Sequence, residues 1–239
     1  LDLIAMPSVS RRADAICFDK DGTLFDFATT WNGWAGQVIA DLAKGDMKVA
    51  ANIALSCGYD LQARRILLGS PIVAATNREV AESMAAGVPD RDIAEIETYL
   101  TMSASHAPLA PAVPLVPFLQ GLAAQGMALG VMTNDTEFGA RAHLSSAGVL
   151  DLFDFVAGFD SGHGAKPSPD PLLAFCVAVA ATPERAVMVG DSAHDLVAGR
   201  AAGMQTVGVL TGMAELADLA PYADVVLPDI GHLPQWLAS

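Results

Sequence analysis

Ala15-Ile16-Cys17-Phe18-Asp19-Lys20-Asp21-Gly22-Thr23-Leu24-Phe25-Asp26 decides the reading of this chain: an apolar run that fits a buried strand leads directly into two carboxylates, Asp19 and Asp21. In an open parallel sheet, ligands bind beyond the carboxyl ends of the strands, and side chains at i and i+2 project to the same side. A carboxylate pair at such an end suits phosphoryl transfer, one member attacking phosphorus while the other handles the proton of the leaving oxygen. Gly22 lets the backbone approach a bound phosphate closely and turn away from the strand.

Outward from this stretch, strand-like segments alternate with helical ones. Strands are expected at Ala15 to Phe18, Met127 to Met132, Asp154 to Ala157, Ala186 to Val189, Thr206 to Val209 and Asp224 to Leu227. Helices are expected at Val116 to Gln125, Glu137 to Ala147, Pro169 to Ala180 and Asp195 to Ala202, with Gly148 and Gly203 placed to cap two of them. This alternation is the pattern of a doubly wound α/β fold with a mainly parallel sheet.

Between Phe27 and about Ala110 the texture changes, with Ala, Leu, Met, Arg and Glu at helical spacing and no β-branched strand pattern. The expectation is an all-helical second domain with helices at Trp31 to Lys44, Met47 to Cys57, Asn77 to Ala86 and Asp90 to Ser105, the last opened by Pro89-Asp90. Pro108, Pro111, Pro114 and Pro117 make a stiff return to the sheet. The chain therefore divides into an α/β core, residues 1–26 and 111–239, and a cap, residues 27–110, inserted after the first acidic motif.

Three further strand ends carry chemistry. Val131-Met132-Thr133-Asn134-Asp135 offers a hydroxyl and an amide suited to phosphoryl oxygens, although Thr-Asn alone also reads as a helix cap. Gly162-His163-Gly164-Ala165-Lys166-Pro167 holds a lysine in a rigid loop, where it can neutralise a phosphate. Met188-Val189-Gly190-Asp191-Ser192-Ala193-His194-Asp195 ends an apolar strand with two acids four residues apart, on one face of a starting helix. An acid pair, a hydroxyl-amide, a lysine and a second acid pair follow in order along the chain.

With these four motifs the chain closely resembles the haloacid dehalogenase-like hydrolases, specifically phosphatases with a helical cap such as phosphoglycolate phosphatases. The resemblance implies that Asp19 is the nucleophile, Asp21 the general acid/base, Thr133 and Asn134 phosphate-binding groups, and Lys166 the lysine of the third motif. It also implies a metal held by Asp19, Asp191 and the backbone carbonyl of Asp21, with Asp195 supporting the metal shell or Lys166. Electrostatics asks for the same cation: four carboxylates against one lysine would exclude a phosphate dianion, and oxygen ligands without clustered Cys or His favour Mg²⁺. The expected reaction is hydrolysis of a small phosphate monoester, phosphoglycolate being the first substrate the resemblance suggests.

Composition sets limits around this reading. Thirteen basic residues against 27 acidic ones give a net charge of −14, which argues against nucleic-acid or anionic-membrane partners. Cys17, Cys57 and Cys176 form no C-x-x-C pair, so neither a disulfide framework nor a zinc site is expected, and a reducing cytoplasm fits best. Leu1 to Pro7 is too short and interrupted for a signal segment, and Leu172 to Ala181 falls short of a membrane span. No feature sets the oligomeric state. The histidines at 106, 143, 163, 194 and 232 lack ligand spacing and are expected to be non-catalytic, with His163 and His194 at the rim of the site. Trp31 and Trp34 read first as hydrophobic anchors and second as pocket walls. Arg64 and Arg65 read first as solvated surface groups and second as partners for another anion on the substrate.

Rival readings are a sugar phosphomutase of the same superfamily, a receiver-type signalling module and a silent phosphate-binding protein. The dehalogenase reading has no need of Asp21, and resemblance to ion-pumping ATPases fails for want of membrane spans.

Overall fold

The computed structural model describes residues 12–88 and 91–239. The expectations for Leu1 to Pro7 and for Pro89-Asp90 lie outside the described residues. In chain order the elements are β1 (Ala15–Phe18), α1 (Phe27–Ala43), α2 (Met47–Cys57), β2 (Tyr59–Asp60), β3 (Arg65–Ile66), α3 (Pro71–Ala74), α4 (Asn77–Ala85) and α5 (Ile93–Ala104). There follow α6 (Leu115–Ala124), β4 (Ala128–Met132), α7 (Glu137–Ser146), β5 (Phe155–Ala157), α8 (Asp170–Ala178), β6 (Ala186–Gly190), α9 (Ala193–Ala201), β7 (Gln205–Val209), α10 (Leu216–Leu219), β8 (Val225–Leu227) and α11 (Leu233–Leu237).

Six strands form a parallel sheet in the order β5-β4-β1-β6-β7-β8. β1 lies between β4 and β6, so the strand order reverses there, which is where such sheets open a crevice for ligands. All four β1 residues are buried, because helices cover both faces of the sheet. Ile16 and Phe18 face a cluster completed by Leu119, Leu122 and Leu144, whereas Ala15 and Cys17 face Leu172, Phe175 and Ala198 on the other side. Register pairs Phe18 with Val131 and with Val189, so the residues that follow all three strands emerge along one edge.

The segment between β1 and α6 has its own apolar cluster, built from α1, α2, α4 and α5 around Trp31, Ile39, Ile53, Met84, Ile96 and Leu100. Its two connections run side by side: the Asp26 N–H donates to Ala110 O at 2.7 Å, and the Ala112 N–H to Leu24 O at 2.9 Å. α1 begins a turn earlier than periodicity suggests, because Asp26 accepts from the Thr29 N–H at 2.8 Å and caps it. The segment is helical apart from the short β2-β3 hairpin, whose turn is held by Asp60 Oδ1 accepting from the Gln62 and Ala63 N–H groups. Two-residue strands are too short to carry a period in sequence, and an Asx turn of this kind can form without one. Among the described residues, no helix is long and apolar enough to cross a membrane.

Candidate active site

The seven residues singled out from sequence, Asp19, Asp21, Thr133, Asn134, Lys166, Asp191 and Asp195, all line one cleft at the carboxyl edge of the sheet. Asp19 follows β1, Thr133 follows β4 and Asp191 follows β6, so strand register brings these three to one edge of the sheet. Lys166 reaches in from the loop before α8, donating to Asp19 Oδ1 at 2.6 Å and to Met132 O at 2.8 Å, and it pairs with Asp195 Oδ1 at 2.6 Å. Asp195, in the first turn of α9, spends its other oxygen on the Ser192 N–H at 3.0 Å and hydroxyl at 2.6 Å. This reciprocal cap fixes Asp195 as a support for Lys166.

The site is dense in negative charge. Carboxylate oxygens of Asp19, Asp191 and Asp195, all buried, lie within 4.8 Å of one another. Burial, together with neighbouring carboxylates and against the pull of Lys166, pushes the Asp19 carboxyl up to about 7. Burial also raises Asp191, with Asp19 and Asp195 adding to the effect. Burial works against the Lys166 ammonium, yet Asp19 and Asp195 outweigh it and raise its pKa. A buried all-oxygen cluster that resists its own ionisation fits a hard dication such as Mg²⁺. Asp19 and Asp191 are the carboxylates best placed to hold it, since both oxygens of Asp195 are already engaged.

Two glycines make room for Asp191. A Cβ at Gly22, where φ is +82°, would meet Asp191 Oδ2 at 2.3 Å, and one at Gly212, in the loop after β7, would meet it at 1.7 Å. The Thr211 hydroxyl ties the two loops by donating to Gly22 O at 2.6 Å. Gly212→Ala must therefore push Asp191 out of place. Its affinity for a divalent metal is expected to fall by about tenfold or more, as read by titrating activity with the metal, with a fold that still melts cooperatively.

Asn134 lines the cleft while its side chain holds the lysine loop. Its side-chain amide donates to Lys166 O and accepts from the Lys166 N–H, both at 3.0 Å, so it braces the lysine loop. Thr133 Oγ1 accepts from the Asp135 N–H at 3.1 Å, which leaves its O–H proton to donate into the cleft.

Sequence reading gave no role to Lys20, Asp135 or His143, which form a second polar group beside the site. Lys20 Nζ is fully buried, 2.9 Å from Asp21 Oδ2, 2.9 Å from Asp135 Oδ2 and 2.8 Å from His143 Nδ1. Burial opposes the Lys20 charge, but Asp21 and Asp135 override it and raise its pKa. Because Nδ1 of His143 faces an ammonium, it accepts, and Nε2–H donates to Ala104 O at 2.7 Å, a neutral tautomer that burial and Lys20 both favour. The helical segment closes on this group from above: Trp31 Nε1–H donates to Asp21 Oδ1 at 2.9 Å, and Asn77 Nδ2–H to Asp135 Oδ1 at 3.2 Å. The signal available in sequence was a lysine set between two acids immediately after a buried strand.

Trp31 and Trp34 both line the cleft, with rings edge to face at 5.1 Å, so anchor and wall are one role here. His194 lines the cleft, whereas His163 packs beside Phe155. The substrate-binding reading of Arg64 and Arg65 is corrected: both are exposed at the hairpin and neither lines the cleft.

The chain matches a family profile for haloacid dehalogenase-like hydrolases over residues 13–203. It is 31% identical over 212 residues to the phosphoglycolate phosphatase of Salmonella typhi, a match covering 82% of this chain and 81% of that protein. It is 38% identical over 112 residues to the phosphoglycolate phosphatase of Neisseria meningitidis serogroup A, and there the match spans 46% of this chain and about half, 47%, of the relative. In fold it is similar to CbbY from Rhodobacter sphaeroides, solved in complex with phosphate, with a TM-score of 0.67 and 20% identity over 92% of this chain and 96% of that one.

Proposed function

Since the chain belongs to the haloacid dehalogenase-like hydrolases, we propose that it is a Mg²⁺-dependent phosphatase that hydrolyses a small phosphate monoester through an aspartyl-phosphate. The observation that carries this reading is the meeting of Asp19, Asp191, Asp195 and Lys166, from three separate loops and a helix start, in one cleft beside Asp21. Phosphoglycolate phosphatases among the relatives support a small phosphate ester as the substrate class. The same reading divides the chain into a core, 1–26 with 111–239, and a cap, 27–110; separate apolar clusters and paired connections support that division. A cytoplasmic setting accords with three buried, unpaired thiols.

In this mechanism an oxygen of the Asp19 carboxylate attacks phosphorus as the ester P–O bond breaks, and the departing oxygen takes a proton from Asp21. Water then attacks the aspartyl-phosphate, Asp21 accepts its proton, and inorganic phosphate leaves as Asp19 is restored. Lys166 and the Thr133 hydroxyl offset charge on the phosphoryl oxygens. Asp19, Asp191 and the Asp21 carbonyl would hold Mg²⁺, which supplies charge neutralisation to the phosphoryl group when bound.

The test is release of inorganic phosphate from a panel of esters, expected with Mg²⁺ and lost on chelation; no release from any ester with metal present would reject the reading. A pH dependence comes with it. Metal binds ionised carboxylates, and Asp19 titrates at about 7 without metal, so Mg²⁺ affinity is expected to rise as pH climbs toward and past that value. The sign is opposite for the metal-free chain. A carboxyl whose folded pKa stands above its unfolded 3.8 withdraws stability as pH rises from 3.8 to about 7. Melting temperatures with and without Mg²⁺ should therefore diverge as pH increases across that window.

A further inference from the structure

The cleft is charged on one side only. Its sheet side carries the charged residues, while the opposite wall is made by Phe27, Trp31, Trp34, Ile72, Val73 and Val80. The side-chain N–H groups on that wall already have partners within the protein. Trp31 Nε1–H donates to Asp21, Trp34 Nε1–H to Ser103 Oγ at 3.1 Å, and Asn77 Nδ2 to Thr101 Oγ1 and Asp135 Oδ1. Among the described residues that line the cleft, Lys166 is the one Lys or Arg, and it is held at the sheet edge by Asp19, Asp195 and Met132 O. His194, at the rim, lies within electrostatic reach of Glu79, whose charge opposes a further anion there.

From this asymmetry we infer that the alcohol part of the substrate is uncharged and apolar, an aromatic or branched aliphatic alcohol esterified to phosphate; the inference rests on the phosphatase reading above. A second carboxylate, as in phosphoglycolate, would leave water for a wall without a cation, in a cleft already crowded with aspartates. A sugar would bury hydroxyls against indole and aliphatic surface, where the available N–H groups are committed. An apolar body gains from the same wall, since ring edges and aliphatic side chains recover the area it removes from water. Hydrolysis breaks the phosphate ester bond, adds one water and yields the apolar alcohol and inorganic phosphate.

The experiment compares kcat/KM with Mg²⁺ for four alkyl esters: benzyl phosphate, phosphoglycolate, its uncharged amide phosphoglycolamide, and glucose 6-phosphate. Benzyl phosphate is expected to exceed phosphoglycolate and glucose 6-phosphate by about tenfold or more, with the amide between benzyl phosphate and phosphoglycolate. Equal or higher kcat/KM for phosphoglycolate or for glucose 6-phosphate overturns the inference. Val73→Arg, at a partly exposed position of the wall, is expected to shift the ratio about tenfold toward phosphoglycolate. Ile72→Arg supplies the same charge from the next residue if the first variant does not fold. Should no ester be hydrolysed, the phosphatase reading fails, and binding decides the alcohol class separately. Tighter binding of benzyl phosphate than of phosphoglycolate to Mg²⁺-saturated Asp19→Asn sustains it, and the reverse order overturns it.

Discussion

Asp19→Asn is expected to lower kcat by about 10³-fold or more, equivalent to about 4 kcal/mol of transition-state stabilisation. The amide cannot form the aspartyl-phosphate on which the proposed two-step route depends, and the remaining groups can only bind and polarise the ester. The loss must not come from unfolding. Burial and neighbouring carboxylates already hold the Asp19 carboxyl up at about 7, so a neutral group at that position relieves repulsion. Lys166 would keep its pairing with Asp195 at 2.6 Å and its bond to Met132 O. The metal-free variant should accordingly melt no lower than the parent chain at pH above that value, while phosphate release and trapping of a labelled phosphoenzyme both disappear. Retention of more than a tenth of the parent rate would remove Asp19 from the nucleophile's role.

Lys20→Met carries the second large effect, on stability first and on turnover second. The side chain is fully buried and faces Asp21 and Asp135 at 2.9 Å each, with the His143 ring completing its contacts. Removing one partner of a buried ion pair strands the others, at a cost of about 3–5 kcal/mol. Chemical denaturation should show a loss in that range, with partial recovery in Lys20→Met/Asp135→Asn, where one stranded charge is also removed. Asp21 would lose the donor on one oxygen and keep only the Trp31 indole on the other, so kcat is expected to fall while KM changes little. A stability change below about 1 kcal/mol would mean that water or a relaxed backbone satisfies both carboxylates, and that Lys20 does not position Asp21.

Both variants probe residues of one stretch that the sequence presented very differently. Asp19 stood out because a carboxylate directly after four apolar residues has no packing explanation. Lys20, its neighbour, did not, because an isolated lysine in a turn reads as solvated. Only when β4 and α7 lie beside β1 do Asp135 and His143 arrive to bury it. The same logic separates Trp31 from Arg64. The indole was legible as an anchor, yet its bond to Asp21 needed the closure of α1 over the sheet edge. Arg64 was offered a role by charge alone, and the hairpin turn at Asp60 leaves it exposed. Gly212 carried no motif at all; its importance is a matter of the 1.7 Å that a methyl group there would leave to Asp191.

The sequence by itself determined the six strands, the helical segment between the first two of them in chain order, and the seven cleft residues, since each follows from local periodicity or from chemistry placed at a strand end. Tertiary structure alone decided how the charges are shared: which carboxylates cluster, which lysine serves Asp19 and which serves Asp21, and that the wall facing them is apolar. The physical reason is range. Periodicity and caps are set by neighbours within a few residues, whereas a buried ion pair such as Lys166 with Asp19, 147 residues apart, exists only after packing has removed the water between them.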